Sequence, residues 1–266
     1  MTDTQAAPES GDELLPWRRR APRQRRIDTK ASVAEGAPPA EIGPSDDVVP
    51  FNNVRRRAAT ALLASKRTAP HALTLVATDF TEIERVRSSA GLTALPFVAR
   101  AVVDALREFP LLNAAVDGEA LIVHRSVNIG IAVDLDHQGL VVPVVRGADR
   151  MGLRGLAAAF RDLAARARAK QLGPDDLAGG TFTITNPGAA GTWISFPILN
   201  APQVGILATD GVAKMVVADE REGMRIAPVA NLCLTFDHRA VDGAYAGAFL
   251  RRLREIVERR DWAAEL

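Results

Sequence analysis

The sequence predicts an α/β protein in which a mixed sheet packs against helices, preceded by a disordered N-terminal tail. Three observations lead to this. Segments of helical and of strand periodicity alternate from about residue 48 onward. Several neighbouring strand segments are joined by short turns, which argues for a mixed sandwich of sheet and helices over a purely parallel sheet. Residues 1–47, by contrast, are rich in Pro, Ala, Glu, Asp and Arg and show no sustained apolar period, so disorder is expected there. The expected organisation is a tail over 1–47 and one folded domain over 48–266.

Taken in order, Asn53 to Lys66 reads as a helix ending before Pro70, and Ala72 to Ala77 as a strand. Thr81-Glu82-Ile83-Glu84 fits a capping box opening a short helix. Leu95 to Glu108 is a strongly apolar helix, with Phe97, Val98, Ala101, Val102, Ala105 and Phe109 at helical spacing. Ala114 to His124 reads as a hairpin turned at Asp117-Gly118. Val127 to Asp134 and Leu140 to Val145 pair around Asp136-His137-Gln138-Gly139. Met151 to Lys170 is a long helix with Leu153, Leu156, Phe160, Leu163 and Ala167 inward. Gly179 to Asn186 is a strand entering the Gly-rich loop Pro187 to Gly191, and Val204–Thr209, Val212–Val217 and Met224–Phe236 complete the sheet.

Composition excludes several function classes. With 266 residues and 47% hydrophobic content the chain can bury one large core or two modest ones. A formal net charge of +1 gives no general pull towards nucleic acid or membrane. The single cysteine rules out an internal disulfide framework and a cysteine-based metal cluster, and suits a reducing cytoplasm. Met1 to Ser10 has no basic start and no apolar core, so it is not expected to be a secretory signal, and no run reaches the ~20 apolar residues of a membrane span. No Gly-x-Gly-x-x-Gly follows a strand and no Gly-Lys-Ser/Thr loop is present, so nucleotide chemistry is not expected. In the tail, Leu14-Leu15-Pro16-Trp17 precedes Arg18, Arg19, Arg20, Arg23, Arg25 and Arg26. These read either as a solvated basic tail or as a docking segment for an acidic partner. One aromatic offers no stacking series for single-stranded nucleic acid.

Chemistry is concentrated where the last strand ends. The apolar run Leu232-Cys233-Leu234-Thr235-Phe236 stops at Asp237-His238, a polar turn follows, and Ala244 to Val257 reads as a helix with Phe249, Leu250, Leu253 and Val257 on one stripe. A histidine at the mouth of a strand suits general-base work, because the ordinary imidazole pKa is about 6.5. Asp242, preceding Gly243 at the helix start, is placed to cap that helix. Cys233 has the opposite strand parity from His238, so it is expected in the core and not in a Cys-His pair. His71, His124 and His137 show no metal-ligand spacing, and no metal is expected.

The stretch Asp237-His238-Arg239-Ala240-Val241-Asp242-Gly243 resembles the Asp-His-Arg-x-x-Asp-Gly signature of the dihydrolipoamide acyltransferases, the core components of 2-oxoacid dehydrogenase complexes. The looser His-x-x-x-Asp-Gly is shared with chloramphenicol acetyltransferases. Further segments are similar to that family in order: Val54-Arg55-Arg56, Ser65-Lys66, Pro70-His71, Phe109 to Ala114, Asn128 to Ala132, Gly139 to Val144, Gly179 to Asn186 and Asn200 to Gln203. The resemblance covers about residues 48–260. It implies a chloramphenicol-acetyltransferase-like fold in trimers, with the active site between neighbouring subunits. It implies an acyl group passing between a lipoyl thioester and the thiol of coenzyme A, with His238 as the base and the Thr185 hydroxyl of the adjacent subunit as the oxyanion donor. Asn186, Gly188 and Gly191 are candidates to line the coenzyme A channel. Each residue also has a plainer reading: Thr185 as a β-former, Asp242 as a helix cap alone.

The departures from the family also carry expectations. Thr60 and Ala61 stand where family members often carry arginines, and if one of those braces the active-site Asp, Arg57 is the substitute one turn earlier. Trp193 to Pro197 is bulkier than the family's segment, and Ala208 replaces a glycine. Residues 1–47 are too few for a lipoyl domain and a subunit-binding domain, so the lipoyl group is expected on another protein. Partners would be further copies of the chain, 2-oxoacid dehydrogenase and lipoyl-carrier proteins, in the cytoplasm. Asp261 to Leu266 has apolar anchors for a contact that would build a cage larger than a trimer, and an isolated trimer is an equal expectation. Two other readings stay open: a free-standing coenzyme A-dependent acyltransferase on a small molecule, and a catalytically weak trimeric scaffold.

Overall fold

A computed structural model describes residues 41–218 and 223–266 of the chain. The tail's Leu14–Arg26 segment, and residues 1–40 generally, lie outside the described residues. The chain divides into two units, Met1–Asn52 and Asn53–Leu266. In the described part of the first, the Asp46 carboxylate accepts the Gly43 N–H at 2.6 Å to close a turn.

The second unit is built on a seven-stranded mixed sheet. Its spine is β11 (Met224–Asp237), 14 residues long and buried from Val229 to Asp237. On one side β11 pairs antiparallel with β1 (His71–Asp79), from His71 opposite Asp237 to Asp79 opposite Val229. On the other, its second half pairs with β9 (Gly205–Thr209) and its first half forms a hairpin with β10 (Ala213–Ala218). From β9 the sheet continues through β8 (Phe182–Thr185) and β4 (Ile129–Ile131), both parallel joins, to β7 (Val144–Val145). β2 (Ala114–Asp117) and β3 (Ala120–Val123) form the expected hairpin, with Gly118 at φ +57°. β5 (Val133–Asp134) and β6 (Leu140–Val141) form a second small ladder. This mixture of parallel and antiparallel joins is the one the turn signals predict.

The core lies between the sheet and α2 (Thr81–Ala90), α3 (Leu95–Glu108), α4 (Leu153–Arg168) and α6 (Gly243–Arg259). α3 matches its predicted span, starts with a proline in its first turn, and buries nearly all its faces, so its apolar run needs no amphipathic stripe. α4 turns in the five predicted residues Leu153, Leu156, Phe160, Leu163 and Ala167, all buried. Buried Arg100 is the exception on α3; it pairs with Asp104 and donates to the Met151 carbonyl at 2.9 Å, so its charge is not stranded.

Two expectations are corrected. The capping box at Thr81–Glu84 does not form: Thr81 is already the first helical residue, and it is Asp79 that accepts both the Thr81 N–H (2.8 Å) and its hydroxyl (2.6 Å). Glu84 turns instead to Arg87. Trp262 of the C-terminal segment is not an outward anchor either. Trp262 is fully buried, edge-on to Phe97 at 5.4 Å, and donates its indole N–H to the Val257 carbonyl at 3.1 Å. A large aromatic with one polar handle satisfied is core, and only Leu266 of the segment's large apolar residues is exposed.

Several apolar surfaces face outward. α1 (Asn53–Thr68) buries only Ser65 and exposes Leu62 and Leu63. On β1, Leu73 and Leu75 lie on the outer face, and the β10–β11 hairpin exposes Met215, Val216, Met224 and Ile226.

Candidate active site

His238 sits just past the end of β11, where the chain turns into α6. The corner is held by backbone bonds on both sides. Asp237 N–H donates to the Val204 carbonyl (2.9 Å), His238 N–H donates to the Pro70 carbonyl (3.0 Å), and the Asp237 carbonyl accepts from Ala240 N–H. The buried Asp237 carboxylate folds back on Arg239, accepting its backbone N–H at 3.0 Å and its guanidinium at 2.6 Å. Such a chelated turn fixes the direction in which position 238 points. The imidazole itself is exposed; its ring lies 5.6 Å from that of Phe236, and no described group hydrogen-bonds either nitrogen. A rigidly mounted, solvent-facing imidazole is free to take a proton from an incoming group.

Asp242 caps α6, accepting the Tyr245 N–H at 2.9 Å from an extended backbone conformation. Four residues separate it from the sheet end, and the cap fixes how the helix leaves the His238 turn. Among the described residues no cation pairs with the Asp242 carboxylate. Arg57 therefore does not substitute within one chain for the arginines missing at Thr60 and Ala61.

Thr185 ends β8 and is half-buried. Asn186 follows; its side chain accepts Gly188 N–H at 3.2 Å and opens a 3₁₀ turn over Pro187–Ala190. Gly191, at φ +77°, closes the turn in the left-handed region. Gly188 is required for a different reason: a Cβ there would lie 2.6 Å from the Asp210 carbonyl carbon, so the loop packs directly on the Asp210–Gly211 backbone. The structure thus gives Gly188 a packing role and Gly191 a conformational one, whatever else passes over the loop.

The register sets His238 and Thr185 apart. Thr185 lies opposite Ala208, and Ala208 opposite Cys233. His238 is five residues further along β11 and two strands across, roughly 20 Å away at ~3.3 Å per residue and ~4.8 Å per strand. In one chain the two side chains cannot reach one reacting atom.

A buried node missing from the sequence reading holds the loop beyond Thr185. Asp210, 2% exposed, accepts the hydroxyls of Thr192 and Ser195 (both 2.6 Å), the Ser195 N–H (3.0 Å) and the Cys233 thiol (3.4 Å). Asn231 adds a bond from its amide to the Trp193 carbonyl at 2.8 Å. No short-range signal marks Asp210, since its partners come from separate segments. Cys233 is fully buried as expected, and burial pushes its thiol pKa up to about 11. His71 is tied to Ala69 and Leu199 by its two ring nitrogens. Among the described residues no three His, Cys, Asp or Glu gather as a metal set would.

Residues 43–263 match the family model described as 2-oxoacid dehydrogenases acyltransferase (catalytic domain). The lipoamide acyltransferase component of the branched-chain α-keto acid dehydrogenase complex of Bacillus subtilis is 35% identical over 226 residues, 81% of this chain and 53% of that protein. The succinyltransferase component of that organism's 2-oxoglutarate dehydrogenase complex is 38% identical over 80% of this chain, again covering 53% of its own length. The chain thus spans about half the length of these curated relatives. Among solved structures, a probable dihydrolipoamide acetyltransferase from Listeria monocytogenes superposes with a TM-score of 0.78 at 36% identity, covering 81% of this chain and 95% of that one. The Azotobacter vinelandii dihydrolipoamide acetyltransferase, in a structure addressing the catalytic role of a serine, a histidine and an asparagine, gives 0.78 at 33% identity over 84% and 98%. A chloramphenicol acetyltransferase, at 10% identity and a TM-score of 0.51, shares the fold. With its mixed sheet, its strand-end histidine and this span of similarity, the chain belongs to the catalytic-domain family of the 2-oxoacid dehydrogenase acyltransferases.

Proposed function

We propose that the chain transfers an acyl group between a dihydrolipoyl thiol and coenzyme A as the catalytic core of a 2-oxoacid dehydrogenase complex, the lipoyl group being carried on another protein. The observation that carries this is the solvent-facing imidazole of His238 on a corner braced by Pro70, Val204 and the Asp237–Arg239 pair. A neutral thiol is a poor nucleophile, and an imidazole at that corner can take its proton as sulfur attacks the acyl carbonyl. The proton is returned to the leaving thiolate when the tetrahedral intermediate collapses. Thr185 supplies the hydroxyl that stabilises the oxyanion, a role worth roughly 3 kcal/mol in comparable sites. Asp242 sets the angle of the turn through its cap.

The ~20 Å between Thr185 and His238 favours a site shared by two copies. Exposed Leu62, Leu63, Leu73 and Leu75 offer apolar surface for a neighbouring copy, which supports a homotrimer or larger assembly. In the Azotobacter vinelandii enzyme the histidine and asparagine named for catalysis lie four residues apart, as His238 and Asp242 do here. Another solved relative, at 33% identity, is the cubic core of a pyruvate dehydrogenase multienzyme complex. Asn186, Gly188 and Gly191 form the wall along which coenzyme A runs. No metal takes part, the folded domain begins at residue 48, and the protein works in the cytoplasm beside the dehydrogenase and lipoyl-carrier proteins, with neither nucleic acid nor membrane as partner.

The test is thiol release from acyl-CoA in the presence of dihydrolipoamide, with acetyl-, succinyl- and branched acyl-CoA compared. Wild type is expected to turn over at least one, and His238→Ala to lose activity by at least about a thousandfold, as removal of an essential base does. Equal background rates for both proteins would refute the proposal.

A further inference from the structure

His71 is not needed by the mechanism above, yet both of its ring nitrogens are used. Nδ1 lies 2.8 Å from the Ala69 carbonyl, and Nε2 lies 3.0 Å from the Leu199 backbone N–H. A carbonyl can only accept and a backbone N–H can only donate. The ring is therefore held with its proton on Nδ1 and its lone pair on Nε2. Leu199 is clamped from the other side as well, because buried Ser65 donates its hydroxyl to the Leu199 carbonyl at 2.7 Å. Ala69, Leu199 and Ile206 form a small buried apolar cluster at the same place.

The corner that makes this clamp is also the one that holds the catalytic turn. His71 pairs with Asp237 across β1 and β11, and the Pro70 carbonyl accepts the His238 N–H. Leu199 ends the bulky segment Trp193–Leu199, whose other end is pinned by Asp210 and Asn231 and whose Trp193, Ile194 and Phe196 side chains are exposed. We propose that His71 is a positioning residue: its Nδ1–H tautomer fixes the Trp193–Leu199 segment, which continues from the Asn186–Gly191 loop assigned above to coenzyme A, at a set distance from the His238 turn. The inference rests on the acyl-transfer reading for its kinetic consequence and on geometry alone for the clamp.

Both are tested with His71→Leu and His71→Gln in the intact chain. Leucine removes both bonds, whereas a glutamine carboxamide oxygen can still accept from Leu199 N–H. We expect kcat/KM for acyl-CoA to fall about tenfold or more in the leucine variant, chiefly through KM, and to recover largely in the glutamine variant. Amide hydrogen exchange at Leu199 should be slow in wild type, fast in His71→Leu and slow again in His71→Gln. Unchanged kinetics in a folded leucine variant would overturn the positioning role, as would glutamine performing no better than leucine. A Leu199 amide that exchanges in wild type as fast as an open loop would overturn the clamp even if both variants failed to fold. Wild type lacking acyl transfer would sink the catalytic reading instead, leaving the exchange result to judge the clamp.

Discussion

Thr185 and His238 cannot serve one site in one chain, and this permits a complementation experiment. Their separation follows from the ladder: two strand crossings, roughly 10 Å, and five residues of β11, roughly 17 Å, combine to roughly 20 Å. Side chains of these lengths close less than half of that gap. If a site takes His238 from one copy and Thr185 from the next, His238→Ala and Thr185→Ala chains are each nearly inactive alone, the latter by ~10²- to 10³-fold. In cyclic assemblies formed from an equal mixture, about one half of the sites have an intact histidine copy and about one half of those an intact threonine neighbour, so about one quarter of the wild-type rate returns. Co-expression of the two variants, native mass spectrometry to confirm mixing, and the thiol-release assay measure it. Mixed assemblies no more active than the better parent would refute the shared site and, with it, the oxyanion role of Thr185.

Two further outcomes follow from local geometry. Asp242→Ala removes the acceptor for Tyr245 N–H and should cost about 1 kcal/mol in urea unfolding, while Asp242→Asn, which keeps a side-chain oxygen, should cost a few tenths. Asp104 provides an acid-sensitive element: burial alone would raise its pKa, but the guanidinium groups of Arg100 and Arg260 outweigh this and hold it below the usual carboxylate value. Its stabilising contribution is therefore present in full above the unfolded-state pKa of about 3.9 and is lost as pH falls through the lower folded value. The stability gap between wild type and Asp104→Asn should close as pH falls below about 4 in denaturant titrations; a gap independent of pH would refute the assignment.

The sequence by itself determined much of this protein, for a physical reason: periodicity and turn chemistry are local. The 3.6-residue spacing on α4, the span of α3, the Asp117-Gly118 hairpin and the strand–turn–helix around His238 involve residues close in the chain, and the structure reproduces them closely. The Asp242 cap and the separation of Cys233 from His238 by strand parity are legible on the same ground. Tertiary structure decided what depends on distant segments meeting. Thr81 fits a capping box in sequence, but Asp79 reached its amide first. Trp262 reads as a free anchor until α3 brings Phe97 against it. Asp210 gathers Thr192, Ser195 and Cys233, and His71 finds Leu199 128 residues away, contacts that no window of sequence contains. The largest such decision is the register of β8, β9 and β11, which puts Thr185 and His238 at opposite ends of the sheet; register is set by which faces of which strands are buried together, and that is a property of the folded whole.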